Sequence, residues 1–593
     1  MKYFFSLALI LQLLNLTFCQ SNFPTLIKDI FPGSGGSLNT SLYGGDDFNA
    51  IKLGNKIIFK AANTTVSATD TTSRDYELFI TDGTTEGTNL LKDISPDGSS
   101  YCRSFFTFRD KVYFFAYTGI GGTESMWSTD GTTSGTSIFK NIGFRDYYDN
   151  LYPPNVLQID SLHFIFSGDT TVIKSNLYIS DGTPEGTYTL KDFNPSNINS
   201  SDSHARPGNF TKVANNKVIF TASVFGLGRE LYVTDGTPSG TMLLQNINPS
   251  QSFLNFSDGF TKFHSDGQRA YFFANDSIHG AEPWVTDGTI NGTFMLKDIN
   301  LGSASSLKSL TGFTTIAGIT YFIAQNLVNG VELYKTNGTS AGTSLLVDFN
   351  EGAFAGIGDY LVSMNNKLIF TGSSNGQEVN IFSYDVITSL VEKLVFIANF
   401  PTGNLSSISG PTLLSSNIHC DQLYFDFYNG YANGFNYNIG VTDGTPSGSG
   451  LLLDTNSNIN SGYIRMGFWD PSLIEINGSL VFMGNNGQTG LEPYKIPLCT
   501  GNNAIINNIK KQTVKQEQAI TVYPNPSTGT INIEYADWAK NTSVTITNAF
   551  GETISNDALV GAITQLNKKL TAGLYFLTFH GKDSIVVKKL VVL

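Results

Sequence analysis

The sequence predicts an all-β chain: a large β-propeller of four-stranded blades, each about 50 residues long, followed by a small β-sandwich. Three observations carry that expectation. Only 14% of the 593 residues are charged while 59 are Gly, a composition suited to short strands joined by tight turns. The triplet DGT begins at Asp82, Asp130, Asp181, Asp235 and Asp287, becomes NGT at Asn337, and returns at Asp443. Around it the same four β-type runs recur, seen first as FNAIKLG, KIIFKAA, YELFITDG and TNLLKDI.

Taken in order, residues 1–19 have one Lys and then an apolar run from Tyr3 to about Leu14, the pattern of a signal peptide cut before Gln20. A lipid-modified Cys19 is the rival reading, but Phe18 is too bulky for the small residues that such processing needs. Residues 20–499 are the repeat region. Successive triplets lie 48 to 54 residues apart, except for one double gap of 106 that a degenerate copy at 379–396, VNIFSYDVITSLVEKLVF, fills. The second run is found nine times, so nine blades are expected. Eight is the competing count, and a solenoid or two smaller rings the competing arrangements, because propellers commonly have about 4–8 blades. TLIKDIFPG at 25–33 matches a fourth strand with no first three before it, and the last unit, SLIEINGSLVFMGNNGQTGLEPYKI, lacks its fourth. The N-terminal strand is therefore expected to complete the last blade and close the ring, hiding two sheet edges. Residues 500–518 are polar and aperiodic, as a linker is. Residues 519–593 return to strands, and the charge shifts from −17 before residue 501 in the mature chain to +3 after it.

Three blocks of this tail, VYPNPSTGTINIE at 522–534, VTITNAFGETI at 544–554 and LTAGLYFLTFHGKDSIVVKKLVV at 570–592, resemble the type A C-terminal sorting domain of type IX secretion cargo. Tyr523, Pro524, Asn525, Pro526, Gly529, Gly551, Gly573, Tyr575, Lys588 and Lys589 carry the likeness. The resemblance implies recognition by the outer-membrane translocon of a Gram-negative bacterium, then anchoring to lipopolysaccharide or release. It implies a secreted or cell-surface protein, and nothing about the cargo's activity. The repeats are similar to the ELWxTDGTxxGT units of secreted proteins from such bacteria.

Several chemistries find little support. A net charge of −13 without a basic stripe excludes nucleic acid as a partner. No transmembrane segment is expected in the mature chain, since no later apolar run reaches about 18 residues. Cys102, Cys420 and Cys499 have no C-x-x-C spacing, so buried or incidental thiols are expected, with a Cys420–Cys499 bridge left open. His163, His204, His264, His279 and His419 are scattered, and no phosphate loop or nucleophile elbow occurs. No cofactor is predicted; calcium is the one candidate, at Asp454, Asn456 and Asn458 of DTNSNINSG, although Ile459 stands where a calcium loop needs Gly. The motif resembles the Asp-box of sialidase propellers, but Asp and Gly are adjacent here and the Trp is missing.

The repeated residues read as scaffold. In DGTxxGT the Asp accepts nearby N–H groups, the Gly takes positive φ and the Thr bonds locally, which makes a hairpin turn rather than a metal site. Glu77, Glu124, Glu230, Glu282, Glu332 and Glu492 open the third strand of their units. Six equivalent carboxylates suit blade-to-blade hydrogen bonds better than catalysis, which needs one acid and one base in one geometry. The functional expectation is a displayed binding, adhesion or scaffold module for a polysaccharide or protein. The alternative is a glycan-active hydrolase or lyase with carboxylates from different blades. Either activity would reside in the divergent segments 141–160, 193–210 and 397–420.

Overall fold

The computed structural model describes residues 25–498 and 520–592 apart from internal stretches, the longer being 39–49, 144–155, 194–204, 250–262, 400–412, 429–436, 454–462, 465–472, 524–530 and 536–542. The expected signal peptide and linker, the calcium candidates, His204, Cys499, Pro524, Asn525, Pro526, Gly529 and Gly551 lie outside the described residues. The chain divides into two compact units, Met1–Thr500 and Gly501–Leu593.

The first unit is all-β, with nine antiparallel sheets among the described residues. Sheet 1 runs through Ala50–Leu53, Lys56–Ser67, Asp70–Thr81 and Asn89–Lys92, and sheet 2 through Arg103–Phe108, Lys111–Tyr117, Glu124–Thr129 and Ser137–Lys140. Sheets 3 to 8 repeat this meander over Val156–Lys191, Gly208–Gln245, His264–Met295, Phe313–Val347, Ile357–Asn399 and Ile418–Leu453. The ninth sheet has three strands of its own in this order, Ile474–Ile476, Ser479–Asn485 and Glu492–Pro497. Its fourth place is taken by Thr25–Leu26, antiparallel to Glu492–Pro497 with Thr25 opposite Lys495 and Leu26 opposite Tyr494. A short strand absent from the sequence expectation, Tyr463–Ile464, pairs with Gly484 and Asn485, where Ser479–Asn485 outruns the three-residue first strand.

The burial pattern explains the composition of each strand. Second strands such as KVYFFAY are buried on both faces, because a neighbouring sheet covers each side. The fourth strands of sheets 1 to 4 show two exposed residues and one buried, as edge strands do. Ile58 and Leu78 of sheet 1 pack with Phe114 and Trp127 of sheet 2, and each fully buried Phe there contributes about 2–3 kcal/mol of transfer free energy. Equivalent clusters join sheets 2 to 3, 3 to 4, 4 to 5, 5 to 6, 6 to 7 and 7 to 8. Another joins Ile57, Phe59 and Phe79 of sheet 1 to Ile474, Val481 and Met483 of sheet 9.

Long side chains tie neighbouring sheets in the same way. Lys217 of sheet 4 donates to the Gly288 carbonyl of sheet 5 at 3.1 Å, and Lys367 of sheet 7 to Gly444 of sheet 8 at 2.6 Å. Lys495 of sheet 9 does the same to Gly83 of sheet 1 at 2.7 Å. The first and last sheets therefore share the packing, and the ties, of sheets adjacent in sequence.

The second unit has a three-stranded sheet of Ile520–Tyr523, Ile531–Tyr535 and Ile563–Leu566, and a four-stranded sheet of Thr553–Ala558, Ser543–Asn548, Gly573–His580 and Ile585–Val592. Ile533 of the first and Val544, Ile546, Tyr575, Leu577 and Leu590 of the second are buried, at alternate positions as a one-sided sheet requires.

Deleting residues 25–33 should destabilise the first unit by about 3 kcal/mol or more, because it uncovers the Glu492–Pro497 edge and the apolar cluster behind it. Chemical denaturation of the full chain with and without the segment measures this; an unchanged midpoint would contradict the pairing.

Candidate functional site

In a four-stranded meander the turns after strands 1 and 3 lie at one end of the sheet, and the turn after strand 2 and the passage to the next sheet at the other. The two ends of these sheets differ chemically.

The first end is uniform. Asp235 Oδ1 accepts from the N–H of Thr237 at 2.9 Å and from its hydroxyl at 2.7 Å. Thr237 Oγ1 accepts from Gly240 N at 3.0 Å, and Thr241 Oγ1 donates to the Thr237 carbonyl at 2.6 Å. Thr234 Oγ1 then has Thr241 Oγ1 at 2.7 Å and Gly236 N at 3.0 Å, so every hydroxyl proton in the turn has one destination. Gly236 has φ +89°, and a Cβ on Gly240 would stand 2.0 Å from Asp235 Oδ1. The oxygen of residues 82, 130, 181, 287, 337 and 443 meets the Thr two places on in the same way. Because the Asn337 amide does what the Asp carboxylates do, negative charge is not required. The Thr hydroxyl, with the N–H beside it, holds Asp82, Asp130, Asp181 and Asp235 below the usual carboxylate range. In the degenerate copy the triplet is lost, yet Asp385 sits in register with the other Asp residues and accepts from Ile387 N and Thr388 N at 2.9 Å.

The second end is irregular in its covering and regular in its anchoring. Passages such as Lys140 to Val156, Gln245 to His264 and Asn399 to Ile418 contrast with turns such as Ile316 to Ile319 at the first end. In sheets 1, 4, 5 and 6 the passage is caught by the buried Glu of its own sheet. Glu77 accepts from Ile94 N at 2.7 Å and Ser100 N at 3.1 Å; Glu282 from Ile299 N at 2.9 Å and Ser306 N at 3.0 Å; Glu332 from Phe349 N at 2.8 Å and Gly356 N at 2.9 Å. Glu230 takes Ile247 N at 2.6 Å. The caught residue then turns its carbonyl to the next sheet: Ser100 to Tyr117 N, Ser306 to Gln325 N, Gly356 to Ser373 N; Ala205 does the same to Ser223 N from a sheet with Asn176 at the Glu position. At the chain's ends Glu492 catches Ile30 N and Phe31 N, and Ser37 passes its carbonyl to Ala62 N. Burial outweighs these donors and pushes the carboxyls up, Glu77 and Glu492 to about 7 and Glu332 to about 8.

Glu124 departs from the series. Gly143 and Asp169 exchange both backbone bonds at 2.7 Å, so that N–H is already taken, and Glu124 meets Arg103 at 2.7 Å. Asn380 holds the place of the Glu in the degenerate copy, too short to repeat the clamp; its Oδ1 has no partner among the described residues. The partners of the Glu series were not foreseen from sequence, although the constant interval from Glu77 to Ile94, Glu230 to Ile247, Glu282 to Ile299 and Glu332 to Phe349 is visible there.

The remaining candidates stay apart. His163 and His279 pair locally with Asp160 and Asp276, His264 with Thr315, and His419 lies 3.6 Å from Glu475. Cys102 is buried and Cys420 exposed, both free, and burial raises the Cys102 thiol to about 12. Among the described residues no group of three His, Cys, Asp or Glu could hold a metal, and no helix is long and apolar enough to cross a membrane. In the tail Tyr523 ends its strand, Gly573 opens another, and Lys588 and Lys589 lie in the last one. Buried Tyr575 donates its hydroxyl to the Thr571 carbonyl at 2.9 Å, pinning the entry to Gly573–His580.

Residues 521–593 match the secretion system C-terminal sorting domain family. The tail is thus a type IX sorting domain, which indicates export to the cell surface or medium. No curated protein matches the sequence. Among solved structures, the chain is similar to PorZ, a bacterial surface component of the type IX secretion system of Porphyromonas gingivalis (10% identity, 92% of this chain and 75% of that one, TM-score 0.31). It is also similar to a puromycin hydrolase (11%, 65% and 58%, TM-score 0.32) and a Mycobacterium tuberculosis puromycin-hydrolyzing peptidase (12%, 65% and 58%, TM-score 0.33). It spans less than two thirds of the length of either hydrolase.

Two outcomes follow from this chemistry. Gly240→Ala, which drives a methyl into the Asp235 carboxylate, should cost about 2 kcal/mol by urea denaturation, while Ser239→Ala in the same turn should stay within about 0.5 kcal/mol. The Glu carboxyls are raised in the fold, so their stability contribution is complete below the unfolded value near 4.5 and is lost as pH rises through about 7–8. Unfolding free energy should therefore fall between pH 5 and 8.5 by on the order of 1–3 kcal/mol per carboxyl, and the melting temperature with it. Glu332→Gln should flatten that fall and lower the acid-side plateau; a melting temperature that climbs across this range would refute the assignment.

Proposed function

We propose that the repeat region closes as a ring of nine blades and acts as an exported binding, adhesion or scaffold module, taking a polysaccharide or protein at the end where the long passages emerge. The signal peptide at residues 1–19 and the sorting tail would carry it across both membranes of a Gram-negative cell to the outer surface, where it is displayed or released. The closed ring is supported by Glu492 and Ser37, which repeat toward sheet 1 the clamp and hand-on of sheets 1, 5 and 6, and by Lys495, which ties sheet 9 to Gly83 as Lys217 and Lys367 tie their sheets to the next.

The observation that carries the binding reading is the contrast between the ends. Seven near-identical turns offer the same surface seven times, whereas passages of different length and sequence give one place on the molecule that differs from all others. Binding is favoured over glycan cleavage because the carboxyls with raised pKa are engaged: Glu77, Glu282 and Glu332 are buried with both oxygens accepting backbone N–H groups. A general acid needs an oxygen that can reach the leaving group.

The test is incubation of the mature protein with a polysaccharide panel, reading retention together with new reducing or unsaturated ends. Retention without new ends is expected, and cleavage that follows the protein through purification would replace binding by catalysis. A chain ending before Val522 should remain in the periplasm, and its normal arrival at the surface would defeat the export reading.

A further inference from the structure

The irregular end has one place where backbone strain, exposure and aromatic chemistry coincide. Tyr101 follows the clamped Ser100 in the passage from sheet 1 to sheet 2 and has φ +47°, a left-handed conformation that a bulky residue rarely adopts. The residue before it is held by two sheets: Ser100 N donates to the Tyr76 carbonyl at 2.9 Å and to Glu77 at 3.1 Å in sheet 1, and Tyr117 N of sheet 2 donates to the Ser100 carbonyl at 2.8 Å. The strained residue sends its ring outward, with 51% of Tyr101 exposed. At the equivalent position after Ser37, the Leu38 side chain is only 2% exposed. Strain held by surrounding bonds while presenting a side chain to solvent is a mark of a functional position.

The ring stands among others. Tyr76 of sheet 1 lies 6.2 Å from it, tilted, and Tyr117 of sheet 2 lies 6.5 Å away, edge on. Beside this cluster the hairpin of sheet 1 continues to Ser67 and Asp70, whereas the second strand of sheet 4 ends at Val224, one residue past the level of the clamp bond. The nearby cations are committed: Lys60 lies over the Tyr76 ring with its ammonium 5.1 Å from the centroid, Arg103 meets Glu124 at 2.7 Å, and Arg74 donates to the Gly36 carbonyl at 3.1 Å with its guanidinium 3.9 Å from the Phe31 ring.

We infer that Tyr101, backed by Tyr76 and Tyr117 at the foot of the long hairpin, is a stacking subsite for a neutral pyranose of a polysaccharide chain. This rests on the binding-module reading and names its ligand class. A pyranose has an apolar C–H face that covers a ring and an edge of hydroxyls that meet phenolic groups, and a phenol ring offers both. Committed guanidinium groups leave no reason for a carboxylated sugar.

The experiment compares the full mature protein with Tyr101→Gly and Tyr101→Trp, using neutral glucan, mannan and xylan against polygalacturonate in affinity electrophoresis, with melting temperatures in parallel. Glycine relieves the left-handed strain, so Tyr101→Gly should melt no lower than the parent while its affinity for the retained neutral polymer falls about tenfold or more. Tyr101→Trp should keep that affinity. Binding of a neutral polymer that Tyr101→Gly leaves unchanged would overturn the subsite and spare the binding-module reading. Retention by polygalacturonate alone would overturn the neutral-sugar assignment, and no retention by any polymer would overturn both the subsite and the polysaccharide reading.

Discussion

A carboxylate taken out of water costs several kcal/mol unless donors surround it, and this chain places one at the same point of sheet after sheet. The donors it finds are main-chain N–H groups of the passage leaving its own sheet, and the caught residue's carbonyl then accepts from the second strand of the next. One side chain thus fixes the departure of a strand and the arrival of its neighbour. Remove it and the N–H of Ile94, Ile299 or Phe349 loses its acceptor, while the residue that bridges the seam is left with one backbone bond in place of two. Apolar packing between second and third strands supplies most of the stabilising area, but flat apolar faces slide. The Glu relay sets their register.

The same relay bears on the chain's ends. Thr25–Leu26 is two residues long, and as an isolated edge strand it would contribute little. Its placement becomes intelligible once Glu492 holds Ile30 and Phe31 and Ser37 bonds to both Leu491 and Ala62. In the ring we propose, a strand from the N-terminus is worth what any fourth strand is worth because it arrives with the same anchoring. The acidic turns at the opposite end act on a smaller scale, each closing one hairpin with hydroxyls and a carboxylate that spend their bonds on one another.

What could be read from sequence follows the range of the interaction. The DGTxxGT turns were legible because Asp235 meets Thr237 and Thr241 meets Thr237 within a few residues, and the type of each residue states its task. Strands were legible from their apolar runs, and the half-units at the two ends pointed to Thr25–Leu26 completing the last sheet. The Glu relay was legible only as a recurrence: its partners are backbone N–H groups about 17 to 24 residues on, which have no residue type to read. Glu124 shows the limit, since its divergence depends on Gly143 bonding Asp169 in another sheet. Tyr101 was hidden for a related reason, because its left-handed φ follows a residue held by backbone bonds to two sheets and leaves no pattern in the letters around it.

An anchor made of backbone N–H groups has a further consequence for function. Glu77, Glu282 and Glu332 recognise main chain, and the caught residue is small, Ser100, Ser306 or Gly356, a Cβ on Gly356 standing 2.5 Å from Glu332 Oε1; the residue after it varies, as Tyr101, Leu307 or Ile357. Ile357 and Leu307 are drawn into the apolar clusters, whereas Tyr101 is left to solvent at a point where the scaffold holds the backbone firmly. A surface assembled this way changes its chemistry by substitution or insertion without disturbing register, as long as the two caught N–H groups keep their places. At the first end the opposite holds, since the side chains of the turn are themselves the structure and a change at Asp235 or Gly240 breaks it. Diversity is therefore confined by physics to one end of the sheets, and that end is where a partner can tell this molecule from another built on the same repeat.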